Sequence, residues 1–248
     1  TSENITASDF TDTPIAYNDT ADYSLSGRIV VNMNAGTDTT TIEQGEVTLD
    51  DGSKDTLVSI ENITGSSYDD IITGDLDDNI SNIFDGGSGN DKIEGGSGDD
   101  TMYGRSGNDT FIATGSHDGH DLIDGGNNSD TNDFDTIDYS KILNSDNNKT
   151  TGGITVNLDE QYRLSSSTVI VNDGDNDIIK SIENVIGTQN NDTITASQAI
   201  NTLVGGKGDD LFIQTATKNE KGEDGTTDDK IDGGEDIDTV DYSALSDE

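Results

Sequence analysis

Cysteine and tryptophan are absent from the 248 residues, proline occurs once, and only 12 residues are Lys or Arg. Without cysteine there are neither disulfides nor thiolate metal ligands. Set against 52 Asp and Glu, the 12 basic residues leave a formal net charge of −40. That balance excludes the basic patch on which nucleic-acid binding is built, and it disfavours anionic membrane surfaces. No apolar run approaches the roughly 18–20 residues of a membrane span, so neither direct membrane insertion nor a signal peptide within these residues is expected. Hydrophobic residues make up 28%, little apolar area to offset chain entropy. By composition alone the chain would be acidic and disordered. Its charges are not smeared, however. Asp outnumbers Glu and recurs beside Gly and Asn, the composition of turns and of hard-cation oxygen ligands.

What is present is repetition, at two scales. Gly86 opens GGSGNDKIE, Gly95 opens GGSGDDTMY and Gly104 opens GRSGNDTFI, with nothing between them. Each runs from a glycine turn to Asp at the sixth place and an apolar residue at the eighth: Asp91/Ile93, Asp100/Met102, Asp109/Phe111. The same frame fits 65–73, 187–195, 196–204, 205–213 and 233–241. The longer repeat is marked by Asp-Tyr-Ser at 22–24, 138–140 and 241–243, and by Ser-Ile-Glu-Asn at 59–62 and 181–184. Strand-like stretches at 27–34 and 152–160 alternate apolar and polar residues, a period of two rather than the helical 3.6. The expected organisation is the end of a preceding module (1–20), module 1 (21–137), module 2 (138–240) and the start of a third (241–248), a piece of an array.

Glycines at places one, two and four permit positive φ and close approach to a ligand. Two nonapeptides then make one flattened coil of 18 residues, and stacking coils puts Asp91 beneath Asp109 and Asp192 beneath Asp210, with Asn82 and Asp100 on the opposite edge. The inner row would be Ile72, Ile93, Met102, Phe111, Ile194, Leu203 and Phe212. Stacked carboxylates with turn carbonyls suit Ca²⁺, which takes 6–8 oxygens, better than Mg²⁺, which demands tight octahedral geometry and holds its waters. Transition metals lack imidazole and thiolate partners here. The fold expected is all-β: a calcium-stabilised parallel β-roll or solenoid with strand-pair insertions, in two tandem modules.

The three consecutive nonapeptides resemble GGxGxDxUx of the RTX (repeats-in-toxin) family, and the resemblance is strong over 65–112, 187–213 and 229–241. It implies a roll that is unfolded in the cell and exported from a Gram-negative bacterium by type I secretion, folding outside on meeting Ca²⁺. The candidate ligand set has side-chain oxygens from Asp70, Asn82, Asp91, Asp100, Asp109, Asp121, Asp135, Asp192, Asp210, Asp229 and Asp238. Turn positions Gly86, Ser88, Gly95, Ser97, Gly104, Ser106, Gly205 and Lys207 complete it. Several ions are expected, on the order of six to twelve. Arg105 replaces a turn glycine, while Asn82 and Asn201 replace Asp at place six.

No HExxH or GxSxG motif occurs, and an enzyme is not expected. His117, Asp118, His120 and Asp121 allow a zinc site on residue type, but two imidazoles in a register-breaking loop read better as exposed loop. Tyr23, Tyr139 and Tyr242 read as packed caps at module junctions. The functional expectation is a structural element of a large secreted or surface-attached protein: stalk, adhesin, or matrix or surface-layer unit. Partners would be Ca²⁺, neighbouring modules or further copies of the chain, and an unidentified surface or glycan ligand. The alternatives are the secretion and folding domain of an extracellular enzyme or toxin, or a self-assembling filament subunit.

Overall fold

The computed structural model describes residues 19–33, 44–75, 80–113, 119–126, 133–142, 153–158, 167–171, 176–197, 199–215 and 229–244. Successive short strands alternate between two sheets, because each glycine turn reverses the chain after a strand that supplies one inward side chain. Among the described residues the first sheet has eleven strands and the second ten. In chain order those of the first are β1 (Thr20–Asp22), β5 (Asn62–Thr64), β7 (Ile83–Ser88), β9 (Thr101–Ser106), β11 (Leu122–Gly126), β13 (Ile154–Asn157), β14 (Ser167–Val171), β15 (Asn176–Lys180), β17 (Thr193–Thr195), β19 (Leu211–Ile213) and β21 (Thr239–Asp241). Those of the second are β2 (Ile29–Asn32), β3 (Gln44–Leu49), β4 (Lys54–Val58), β6 (Ile71–Thr73), β8 (Lys92–Glu94), β10 (Thr110–Ile112), β12 (Thr136–Asp138), β16 (Asn184–Ile186), β18 (Thr202–Lys207) and β20 (Lys230–Glu235). Pairing between coils is parallel throughout. The fold is the all-β parallel roll that the repeats predict.

The core is one residue wide on each sheet. Register aligns Ile63, Phe84, Met102, Ile123 and Ile179 in one row, and Ile72, Ile93, Phe111, Ile137, Val185 and Leu203 in the facing sheet. All are buried, as are Ile194 and Phe212, so the inner row expected at place eight is the one observed. Most residues flanking the inward ones face outward, whereas Asn62 and Ile112 are buried as well. A Thr row at place seven does not form a continuous face: Thr110 lies opposite Lys92 and Thr193 opposite Leu211.

The strand pairs expected at 27–34 and 152–160 are the first members of antiparallel three-stranded meanders, β2–β3–β4 and β13–β14–β15. They lie in opposite sheets. Among the described residues eight half-coils, β5 to β12, lie between the two meanders, an even number that puts them on opposite faces, and Asp-Tyr-Ser leaves β1 in the first sheet, β12 in the second and β21 in the first again. The sheets run unbroken through residues 137 and 138, where β12 pairs with β10 on one side and β16 on the other. Beside it β15, the last strand of the second meander, docks in parallel on β11.

Candidate calcium-binding turns

Both edges of the roll carry a column of place-six side chains, each accepting the backbone N–H of its counterpart one coil earlier. On one edge Asp91 Oδ1 accepts from Asp70 N at 2.8 Å, Asp109 Oδ1 from Asp91 N at 2.7 Å and Asp135 Oδ1 from Asp109 N at 2.8 Å. Glu183 Oε2 continues the column by accepting from Asp135 N at 2.9 Å, and Asp229 Oδ1 accepts from Asn201 N at 2.9 Å. On the other edge Asp100, Asp121 and Asp177 accept from Asn82 N, Asp100 N and Asp121 N at 2.8, 2.9 and 3.1 Å. Further along, Asp210 accepts from Asp192 N at 2.8 Å and Asp238 from Asp210 N at 3.1 Å. The 18-residue stacking of Asp91 on Asp109, Asp192 on Asp210 and Asn82 on Asp100 is therefore present in the fold.

Residue type alone does not single out Glu61, Glu183 and Asp177. Glu183 stands in the column where Asp stands elsewhere, reaching with one more methylene, and Glu61 Oε2 accepts from Asp19 N at 3.1 Å. The signal for the two glutamates is the recurrence of Ser-Ile-Glu-Asn, each copy opened by a serine at φ 53° (Ser59 and Ser181), and that for Asp177 is its repetition of Asp55 ahead of the same motif.

In Asp91, Asp109, Asp135 and Asp210 one carboxylate oxygen accepts from the backbone. The Oδ2 atoms of Asp91, Asp109, Asp135 and Asp210 are buried and accept no hydrogen bond, and neither does Asn82 Oδ1, whose amide nitrogen donates to Glu61 O at 2.7 Å. Each Oδ2 lies against the place-one glycine of its own turn, so that a Cβ on Gly86, Gly104, Gly125 or Gly205 would overlap it. Positive φ belongs to places two and four, as at Gly87 (103°) and Gly89 (118°). Place one is glycine for space, places two and four for conformation.

Arg105, at place two, keeps φ 81°. Its guanidinium forks onto Asp85 at 2.6–3.1 Å and lies 4.3 Å from the centre of the Tyr103 ring, contacts that offset the strain.

An orphaned buried carboxylate oxygen is costly. Burial, with neighbouring carboxylates, pushes Asp91 and Asp135 up to about 7, Asp109 to about 8 and Asp210 to about 6. A cation beside these oxygens removes that penalty. Among the described residues no three His, Asp or Glu side chains converge on one point, so a cage here must be completed by turn carbonyls, the oxygen-rich set that Ca²⁺ accepts. Gly86 and Ser88 end β7, Gly104 and Ser106 end β9, Gly205 and Lys207 end β18, and Gly95 and Ser97 form the turn between β8 and β9. Ser106 O in addition accepts from Gly89 N at 2.9 Å.

Two of the expected ligands differ. Asp70 Oδ1 accepts from Ile29 N (2.7 Å) and Ser66 Oγ (3.0 Å), and its Oδ2 from Ser66 N (2.6 Å). Asp192 repeats this with Ile154 N (2.8 Å), Thr188 Oγ1 (2.9 Å) and Thr188 N (2.6 Å). Both carboxylates are engaged through both oxygens.

His117 and Asp118 lie outside the described residues. His120 is exposed, its Nδ1 accepting from Asn176 N at 3.0 Å, while Asp121 turns inward to the column. Tyr139 is fully buried with its hydroxyl 3.0 Å from Asp177 Oδ2, and Tyr23 lies 3.3 Å from Asp55 Oδ2. Burial together with Asp55 raises the Tyr23 hydroxyl above its ordinary range. Tyr242 is exposed.

The family model of the RTX calcium-binding nonapeptide repeat (4 copies) matches residues 78–111 and 186–213. No curated protein matches the chain. The fold and the matched turns define a calcium-binding β-roll. The matched segments are RTX calcium-binding nonapeptide repeats.

The stacked turns set an expectation for mutagenesis. Asp91→Ala and Asp109→Ala each remove an oxygen from one edge site, and Asp109→Ala also leaves the buried Asp91 N–H unpaired, about 1–3 kcal/mol before any lost cation. Denaturant melts in saturating Ca²⁺ should show the double variant losing less than the sum of the singles. Full additivity would place the two residues in separate sites.

Proposed function

We propose that the chain is a calcium-stiffened structural segment of a large secreted or cell-surface bacterial protein, in a stalk, adhesin, or extracellular matrix or surface layer. In this reading it leaves a Gram-negative cell by type I secretion and folds on meeting Ca²⁺ outside. The observation that carries it is the junction. In this reading the modules 21–137 and 138–240 share both sheets, with β12 pairing across the boundary to β16 and the second meander docking on the first module through β11 and β15. Residues 231–234 repeat the Ile-Asp-Gly-Gly of β11 at 123–126, and Asp55 and Leu57 of β4 repeat Asp177 and Ile179 of β15. The same lock can therefore recur end to end, and a rod extended by recurrence suits a spacer. The cations would be held at the glycine turns by Asn82, Asp91, Asp100, Asp109, Asp135, Asp210, Asp229 and Asp238 with the carbonyls of places one and three. The role is structural rather than catalytic, in keeping with the matched repeats.

Small-angle X-ray scattering of this chain and of a tandem duplicate tests the reading. With Ca²⁺ the duplicate should be about twice as long as the single chain at unchanged cross-section, and both should remain monomeric. Concentration-dependent growth of the single chain would favour the filament subunit. A duplicate that bends into two unconnected bodies would favour a stand-alone secretion domain.

A further inference from the structure

Three turns depart from the glycine pattern in the same way. In 65–70, 187–192 and 196–201, place two is Ser66, Thr188 or Ser197 instead of glycine. In each, the place-two backbone N–H donates to the place-six side chain: Ser66 N to Asp70 at 2.6 Å, Thr188 N to Asp192 at 2.6 Å, Ser197 N to Asn201 at 2.8 Å. The place-two hydroxyl reaches the same side chain, at 3.0, 2.9 and 3.2 Å. That hydroxyl also accepts the N–H of place four, from Tyr68, Asn190 and Ala199, at 3.1, 3.0 and 3.1 Å. Nine hydrogen bonds thus repeat one pattern three times, in turns of otherwise unrelated sequence.

We infer that these three turns are closed by a Ser/Thr latch in place of a cation, and that Ca²⁺ is confined to the glycine turns. The inference rests on the calcium reading of the glycine turns and divides the repeats within it. Three observations and one physical argument carry it. The oxygens that stand orphaned in Asp91, Asp109, Asp135 and Asp210 are satisfied by N–H and O–H donors in Asp70 and Asp192. A carboxylate already surrounded by donors gains little from a metal and must first give those donors up. The positive-φ residues that bend the glycine turns are missing, and Tyr68, Asn190 and Ala199 occupy place four. Asn201, uncharged, serves the third latch as Asp70 and Asp192 serve the others, and its amide nitrogen also donates to Glu183 O at 2.8 Å.

The latches sit where a metal-independent start is useful. Asp70 and Asp192 each accept the first N–H of a meander, from Ile29 and Ile154, so the latch clamps the meander to the roll. The turns at 187–192 and 196–201 follow one another and close a whole coil at both edges. Calcium-dependent coils would stack onto this latched frame.

Equilibrium dialysis of the full chain against Ca²⁺, with folding checked by circular dichroism, tests the assignment. Asp70→Asn and Asp192→Asn, which copy the natural Asn201 latch, should bind as many ions as the wild type, while Asp91→Asn should lose one or more. Loss of an ion in either latch variant overturns the inference. If those variants do not reach the wild-type spectrum, Ser66→Ala and Thr188→Val take their place: the ion count should hold and the melting temperature should fall by several degrees, and an unchanged melting temperature overturns the latch. A wild type that binds no Ca²⁺ would instead overturn the calcium reading, with the latch then judged on the melting temperatures of Ser66→Ala and Thr188→Val.

Discussion

Stripping Ca²⁺ from the chain with EDTA at pH 8 is expected to abolish most of its β-sheet circular dichroism, and readdition of Ca²⁺, but not Mg²⁺, to restore it. The reason is the thinness of the core. Most short strands bury one apolar side chain, and Asp91, Asp109, Asp135 and Asp210 bury a second carboxylate oxygen that has no donor. At 10 mM Ca²⁺, a site in the weak extracellular range of about 10⁻⁴–10⁻³ M contributes about 1.4–2.7 kcal/mol by mass action. Three such sites, between Asp91 and Asp109, Asp109 and Asp135, and Asp210 and Asp238, would together contribute about 4–8 kcal/mol. That is comparable to the whole stability of an ordinary domain, about 5–15 kcal/mol, so removing it should leave little folded chain. Mg²⁺ fails because a cage of turn carbonyls is too irregular for an ion that holds its waters. A spectrum indifferent to EDTA would mean that the apolar rows suffice and the metal is incidental.

Acid should do part of the work of calcium. In the metal-free fold Asp91, Asp109, Asp135 and Asp210 are raised to about 7, 8, 7 and 6, chiefly by burial, against about 3.9 in an unfolded chain. A raised carboxyl binds its proton more tightly folded than unfolded. Folding therefore takes up protons between about pH 4 and pH 8, and the stability these groups allow is fully present below about pH 4 and is lost as the pH rises toward 8. A metal-free sample taken from pH 8 to pH 4.5 should regain β-structure, with a transition steeper than one proton would give. The fall in net negative charge acts in the same direction. In the presence of Ca²⁺ the apparent affinity should drop as pH falls through 7, because proton and cation compete for one oxygen. A metal-free chain equally unfolded at pH 4.5 and pH 8 would show that these carboxyls do not oppose folding.

The latched turns show where residue patterns stop informing. Asp70 and Asp91 occupy the same place in the nonapeptide, and nothing in a count of carboxylates separates them. What separates them is Ser66 against Gly87 at place two, and the consequence depends on a hydroxyl reaching back four residues in the folded turn. Glu183 is the converse case: it lies outside any nonapeptide frame, yet the fold sets it in the Asp column. Arg105 breaks the glycine rule at a turn that keeps its shape, because Asp85 and Tyr103 lie one coil away and on the same strand to receive the side chain.

The nine-residue period by itself determined the strand-turn alternation, the inward place-eight row and the 18-residue stacking of acidic turns. Each follows from local rules: glycine where φ must be positive or space is lacking, an apolar side chain at every strand centre, and two turns to a coil. Only the tertiary structure decided which face each module presents. The two meanders hydrogen-bond into opposite sheets, with β2 in one and β13 in the other. That outcome depends on how many half-coils, regular or irregular, the chain completes between them. Insertions in the turns change the residue spacing without changing the half-coil count, so the parity is set by hydrogen-bonded register across the whole stack.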